Sequence, residues 1–231
     1  MNHYSAVTRR ENVRLYMLTG IIFLIGFIYD YYRPQFECVA IGSVTTITMS
    51  GCYKLTSDID VTQKSGVGLW VSAEDVDIDL NGKKIYATQE SNLATGIYIA
   101  AGQWTKIHDG HIDGLLFGIR AEADPGEKVG NVELNHVEVS NGTARGVQIR
   151  AASAHISQSI FRDLSGYPDW PGTPTIAVEL EVESCRFENN EIHNIRSETG
   201  GAAIAISFLG GRKKCSLERN KVTDMMSEPQ T

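Results

Sequence analysis

Glu122, Arg150 and Glu179 recur at intervals of 28 and 29 residues, and their types are those of acid–base chemistry. If each interval is one turn of a stacked repeat, neighbouring backbones lie about 4.8 Å apart and the two glutamates about 9.6 Å apart. Carboxylates at about 6.5–9.5 Å suit an inverting glycoside hydrolase, where one acid protonates the leaving oxygen and the other activates water. The same three residues alternate in sign. That is also how a ladder of surface ion pairs reads, and it is the plainer of the two.

A second set is built for contact. Trp70, Tyr98, Arg120 and Gln148 follow a similar spacing and read as one outward column, continued by Ala177 and Ala205. Ser72, Ala100, Glu122, Arg150, Glu179 and Ser207 read as the column beside it. Aromatic faces stack on the apolar faces of sugar rings. Arginines fork onto carboxylates such as those of uronates. The stretch LSGYPDWPGTP (164–174) adds Tyr167 and Trp170, which either wall the same groove or pack against its side.

Other chemistries find less support. His108 and His111 lie near Asp77 and Asp79, but they flank a glycine turn and read as solvated surface, so no metal site is expected. No HExxH, GxSxG or phosphate-loop motif is present, and no cofactor is expected. A formal charge of −7 argues against a nucleic-acid partner, which would be held by phosphate neutralisation. Asn141-Gly142-Thr143 is a sequon with meaning only in a eukaryotic secretory pathway.

The positioning elements follow from the repeat. From residue 66 a period of about 28 residues recurs six times. First strands open at Leu69, Ile97, Ile119, Val147, Ile176 and Ile204, four of them directly after a glycine. Apolar and outward residues alternate, which is the period of a strand with one buried face. Second strands anchor at Ile78, Ile107, Val132, Ile156, Phe187 and Leu217. Three residues later come Asn81, Gly110, Asn135, Ser159, Asn190 and Asn220, types that tolerate a left-handed bend and can bond from coil to coil. Third strands carry Ile85, Ile112, Val137, Phe161, Ile192 and Val222. Three short strands per unit over six units describe an all-β, single-stranded parallel β-helix. A β-sandwich would have no reason to keep this register.

VDIDLNGKKI (76–85), KIHDGHIDG (106–114) and SCRFENNEIHNI (184–195) resemble repeats of the pectin lyase-like superfamily over roughly residues 50–225. The resemblance implies a right-handed parallel β-helix whose outer first-strand face lines a polysaccharide groove. It is specific for fold and weak for activity, since that superfamily includes lyases, hydrolases, esterases, epimerases and binding proteins. Its hydrolase signatures, and the calcium-binding aspartates of its lyases, are missing here.

The chain thus divides into 1–37, 38–65 and 66–231. In the first part, Arg9, Arg10 and Arg14 precede an uncharged run that opens at Leu15 and closes at Tyr29. A basic flank before an apolar run is the layout of a signal anchor, with the N-terminus held in the cytoplasm and the rest exported. A cleaved signal peptide and a buried soluble helix are the alternatives. At about 22 Å a helix of this length is short for a hydrocarbon core of about 30 Å, so the flanking arginine and tyrosines would have to help. Residues 1–37 hold four basic and three acidic residues, which leaves the remainder near −8. Residues 43–56 read as a hairpin or cap over the first coil, and the last coil has no evident cap.

Cys185 and Cys215 occupy equivalent positions of adjacent coils, within the Cα range of a disulfide, but stacked reduced thiols fit equally well. Cys38 and Cys52 could close a small loop in the second part. The function expected is an exported, anchored β-helix that binds carbohydrate or another envelope component along Trp70, Tyr98, Arg120, Gln148, Tyr167 and Trp170. The alternative is a polysaccharide lyase or glycoside hydrolase acting in the same groove.

Overall fold

Alternation of apolar and polar residues buries one face of each short segment, and stacking closes those faces on a shared interior. The computed structural model describes residues 37–62, 66–88, 93–123, 129–197, 200–210 and 214–227. The chain splits into two units, Met1–Glu37 and Cys38–Thr231. The apolar run and the helix expected of it lie outside the described residues. Among the described residues no helix is long and apolar enough to cross a membrane.

The second unit is an all-β parallel β-solenoid, a short first turn followed by six more. A leading strand, β1 (Val39–Ile41), precedes a short turn of β2 (Thr45–Ile47), β3 (Gly51–Leu55) and β4 (Ile59–Asp60). The next turn is β5 (Val67–Val71), β6 (Asp75–Asp79) and β7 (Lys84–Tyr86). In the following two, β8 (Thr95–Ile99) leads into β9 (Gly102–Asp113), and β10 (Phe117–Ala121) into β11 (Val129–Ser140). The long strand of each makes two sides of its coil. Then β12 (Arg145–Ser157) runs along the first two sides and β13 (Ile160–Leu164) closes the third. The turn of β14 (Thr175–Glu188) and β15 (Glu191–Ser197) repeats that plan. β16 (Ala203–Phe208), β17 (Lys214–Glu218) and β18 (Lys221–Ser227) form the last turn.

Each strand pairs in parallel with its equivalent one coil away, giving three sheets around one core. Residues 43–56 are therefore not a hairpin. β2 pairs with β5 and β3 with β6, so this segment is itself a turn of the stack. β1 lies along the outer edge of β3, where Cys38 is bonded to Cys52. Cys185 and Cys215 are also bonded, across coils whose Cα atoms are 4.4 Å apart.

The register departs from the sequence reading in two places, each by two residues. In the third sequence unit Leu134, not Val132, stacks on Ile107, and Val139, not Val137, stacks on Ile112. In the last two units Val178 and Ile206, not Ile176 and Ile204, continue the column of Ile119 and Val147. The glycines preceding the first strands explain the true register. A Cβ on Gly96 would stand 2.5 Å from the Gly118 carbonyl oxygen, and one on Gly118 would stand 2.5 Å from that of Gly146. The backbones approach too closely there for any side chain. Ala177 takes the equivalent place one coil beyond Gly146 and is fully buried, so it does not face outward.

The corner between second and third sheets also differs in detail. Asn81 adopts the left-handed conformation, but elsewhere the bend falls on Asp109, His136, Gln158, Asn189 and Arg219. The residues after several of these bends bond between coils. Asn190 accepts from the Ser159 backbone N–H at 2.9 Å and donates to the Ile156 carbonyl at 2.9 Å. Asn220 repeats the pattern one coil on, accepting from the Asn190 backbone N–H and donating to the Phe187 carbonyl at 2.7 Å.

Candidate functional site

The first sheet presents one continuous outward column of Thr46, Trp70, Tyr98, Arg120, Gln148, Glu179 and Ser207. The second column runs Glu122, Arg150, Glu181, with Arg150 registered opposite Glu181. Glu179 therefore stands beside Gln148 rather than in line with Glu122 and Arg150. The two-residue shift at Ala177 moves it across, and the expected Glu122–Arg150–Glu179 ladder becomes Glu122–Arg150–Glu181.

The geometry along the first column is close. The Trp70 and Tyr98 rings lie 4.5 Å apart at an interplanar angle of 39°. The Arg120 guanidinium sits 5.9 Å from the Tyr98 ring centre and 5.1 Å from that of Phe117. The Tyr98 hydroxyl donates to the Glu122 backbone carbonyl at 3.1 Å, which ties the aromatic end to the charged one. Trp70, Tyr98 and Arg120 remain partly exposed, so each offers surface to solvent.

Both glutamates are engaged. Arg120 Nε donates to Glu122 Oε2 at 2.9 Å, and Arg150 Nη1 binds the other carboxylate oxygen. Arg150 Nε reaches Glu181 at 3.2 Å. Partial burial alone raises the Glu122 carboxyl, but hydrogen bonding and charge from Arg120 and Arg150 outweigh it and hold Glu122 below its ordinary value. Glu179 is buried. It accepts from Gln148 Nε2 at 2.5 Å and from Arg145 Nε at 3.2 Å. Both of its carboxylate oxygens are thus taken up by neighbours on the same sheet.

The loop after β13 borders this sheet. Arg145 Nη1 donates to the Pro174 carbonyl at 2.6 Å, fastening the loop to the start of β12. Tyr167 is buried against Leu116 and Ala144, and its ring meets that of Trp170 edge-on at 5.1 Å. Burial, then hydrogen bonding with Asp169, pushes the Tyr167 phenol above its ordinary value. Tyr167 is a packing residue, while Trp170 is 41% exposed and remains presented to solvent.

Arg145 and Glu181 were not among the residues singled out from the sequence. Aligning Ala177 with Gly146 finds Glu181, because it sets Arg150 opposite it, whereas Arg145 is registered opposite Ile176 and reaches Glu179 diagonally, which the register does not mark.

A second polar region lies at the corner between second and third sheets. A groove of about 380 Å³ is lined there by Asp109, His111, His136, Glu138 and Gln158 among others. His108 and His111 flank the bend at Asp109 within β9. Asp79, His108 and Asp109 bring ligand-type atoms within 4.8 Å of one another. Lys54 Nζ is 2.9 Å from Asp79, and the two His108 nitrogens face Asp77 and Asp109 at 3.0 and 2.7 Å. These groups are partnered mainly with one another.

No family model matches the chain, and no curated protein or solved structure matches it.

Proposed function

We propose that this chain is an exported, membrane-anchored β-helix protein that binds carbohydrate along the outer face of its first sheet. The uncharged run from Leu15 to Tyr29 would be the anchor. The observation that carries the reading is the paired Trp70 and Tyr98 rings, partly exposed and continued along a single column by Arg120, beyond which Gln148 is buried beside Glu179. Flat apolar faces followed by hydrogen-bonding groups suit a sugar chain lying along the stack. The resemblance to the pectin lyase-like superfamily supports the same face. Two disulfides fit an oxidising compartment and hence export.

Binding without turnover is the better reading, because Glu122 and Glu179 are each closed by arginine partners. Glycan-array binding, with assays for new reducing ends and unsaturated products on uronate polymers, tests it. The expected result is glycan capture with no product. Product release that is abolished by Glu122→Gln or Arg150→Ala would establish the lyase or hydrolase alternative instead.

A further inference from the structure

Three carboxylates surround one imidazole at the corner between the second and third sheets. Asp79 on β6 is registered opposite His108 on β9, and Asp109 follows at the left-handed bend. The backbone there is fixed between coils. The Leu80 N–H donates to the His108 carbonyl at 2.8 Å, and the Gly82 N–H to the Asp109 carbonyl at 2.7 Å. Gly110 lets the coils close this far, since a Cβ on it would stand 2.3 Å from Leu80 Cβ. Sequence reading sets His108 beside His111 and expects no metal there. The structure sets it instead against Asp79 and Asp109, with one ligand-type atom of each residue within 4.8 Å of the others.

Asp77 points to the same place independently. Its Oδ1 is buried and makes no hydrogen bond, although His108 Nε2 lies only 3.0 Å away. His108 Nδ1 is 2.7 Å from Asp109 Oδ2. A neutral imidazole carries one ring proton. Placed on Nδ1, that proton serves Asp109 and leaves Asp77 without a donor. A cation on Nδ1 reverses the assignment, because the proton then sits on Nε2 and is donated to Asp77. A metal-bound histidine whose other nitrogen donates to a carboxylate is the usual arrangement. Burial alone raises the Asp79 carboxyl, but bonds from Lys54 and the Asn81 backbone outweigh it and keep Asp79 ionised. One imidazole nitrogen and two carboxylate oxygens suit zinc, which takes such ligands at about 2.0–2.2 Å. Bonds of that length hold ligand atoms about 3–4 Å apart, which small side-chain rotations reach here. Calcium would need six or more oxygens. Asp109 also lines the groove of about 380 Å³, from which a water or ligand atom completes the set. Lys54 competes with the cation, since its Nζ is 2.9 Å from Asp79 and its side chain is exposed enough to swing aside.

We propose that His108, Asp79 and Asp109 bind a zinc ion, with Asp77 positioning His108 through Nε2. Isothermal titration of Zn²⁺ into the full-length, tag-free chain in detergent tests this, and one tight site per chain is expected. His108→Ala should abolish that site. His155→Ala, which removes an imidazole paired with Glu188 on the same sheet, should leave it unchanged. Asp77→Asn should weaken binding roughly 10–100-fold. Lys54→Met should tighten it severalfold, a gain that loss of folding cannot produce. Absence of a saturable site, or binding undiminished in His108→Ala, would overturn the proposal. So would unchanged or weaker binding in Lys54→Met, or a site that takes Ca²⁺ more tightly than Zn²⁺.

Discussion

Glu122 shows how a residue chosen for catalysis can serve as a fastener instead. Arg120 and Arg150 hold it from both sides, and their combined pull outweighs the cost of partial burial. Its pKa in the folded chain is thus below the ordinary 4.5, so its contribution to stability is present above that value. The contribution is lost as pH falls through the folded pKa. Glu122→Gln should therefore be less stable than wild type at neutral pH, with the gap closing under acid; urea titrations at several pH values check this. A gap that persists unchanged below the folded pKa would contradict the assignment. Gly118 makes a steric prediction. Its added Cβ would stand 2.5 Å from the Gly146 carbonyl oxygen and 2.6 Å from Val139 Cγ1. Gly118→Ala should cost about 1–3 kcal/mol by overpacking, seen as a lower denaturation midpoint.

At the level of elements, the strand pattern was legible and its register only partly so. Period-two alternation distinguishes inside from outside, because a slip of one residue would turn the core to solvent. A slip of two leaves both faces unchanged, and two-residue slips are what separate the structure from the sequence reading. Val132 and Leu134 are both buried, so either satisfies the pattern as an anchor. Ile176 and Val178 pose the same ambiguity, and choosing Ile176 displaced Glu179 by one column. The close approach that fixes the register is a contact between coils, marked in sequence only by Gly68, Gly96, Gly118 and Gly146, with Ala177 continuing the series. The asparagine positions were legible for the same reason in reverse, since few other side chains both accept and donate between coils. Asn190 is buried and bonds to both neighbouring coils. Asn190→Ala should leave several buried groups unpaired and cost about 1–3 kcal/mol, read by denaturant unfolding. Hydrogen exchange in the same variant should quicken locally, at Ser159 and its neighbours.

On the scale of the whole chain, the solenoid gathers Trp70, Tyr98, Arg120 and Arg150 along one side of a stack. The bond between Cys185 and Cys215 secures its last turn. Closing a loop of this length is worth about 3–4 kcal/mol in the chain-entropy account. The Cys185→Ala/Cys215→Ala double variant should lose hydrogen-exchange protection in β16–β18 before the central coils. The acidity of the solenoid, near −8 beyond residue 37, makes a neutral glycan a better match than a polyanion. With Arg120 and Arg150 already paired to glutamates, little free positive charge remains on that face. The central claim is that Trp70 and Tyr98 form the binding surface, and calorimetric titration with a glycan captured on the array tests it most directly. Trp70→Ala and Tyr98→Ala should each weaken binding by roughly tenfold or more, while Trp104→Ala, on the second sheet, should leave it unchanged. Equal affinity in wild type, Trp70→Ala and Tyr98→Ala would contradict the account.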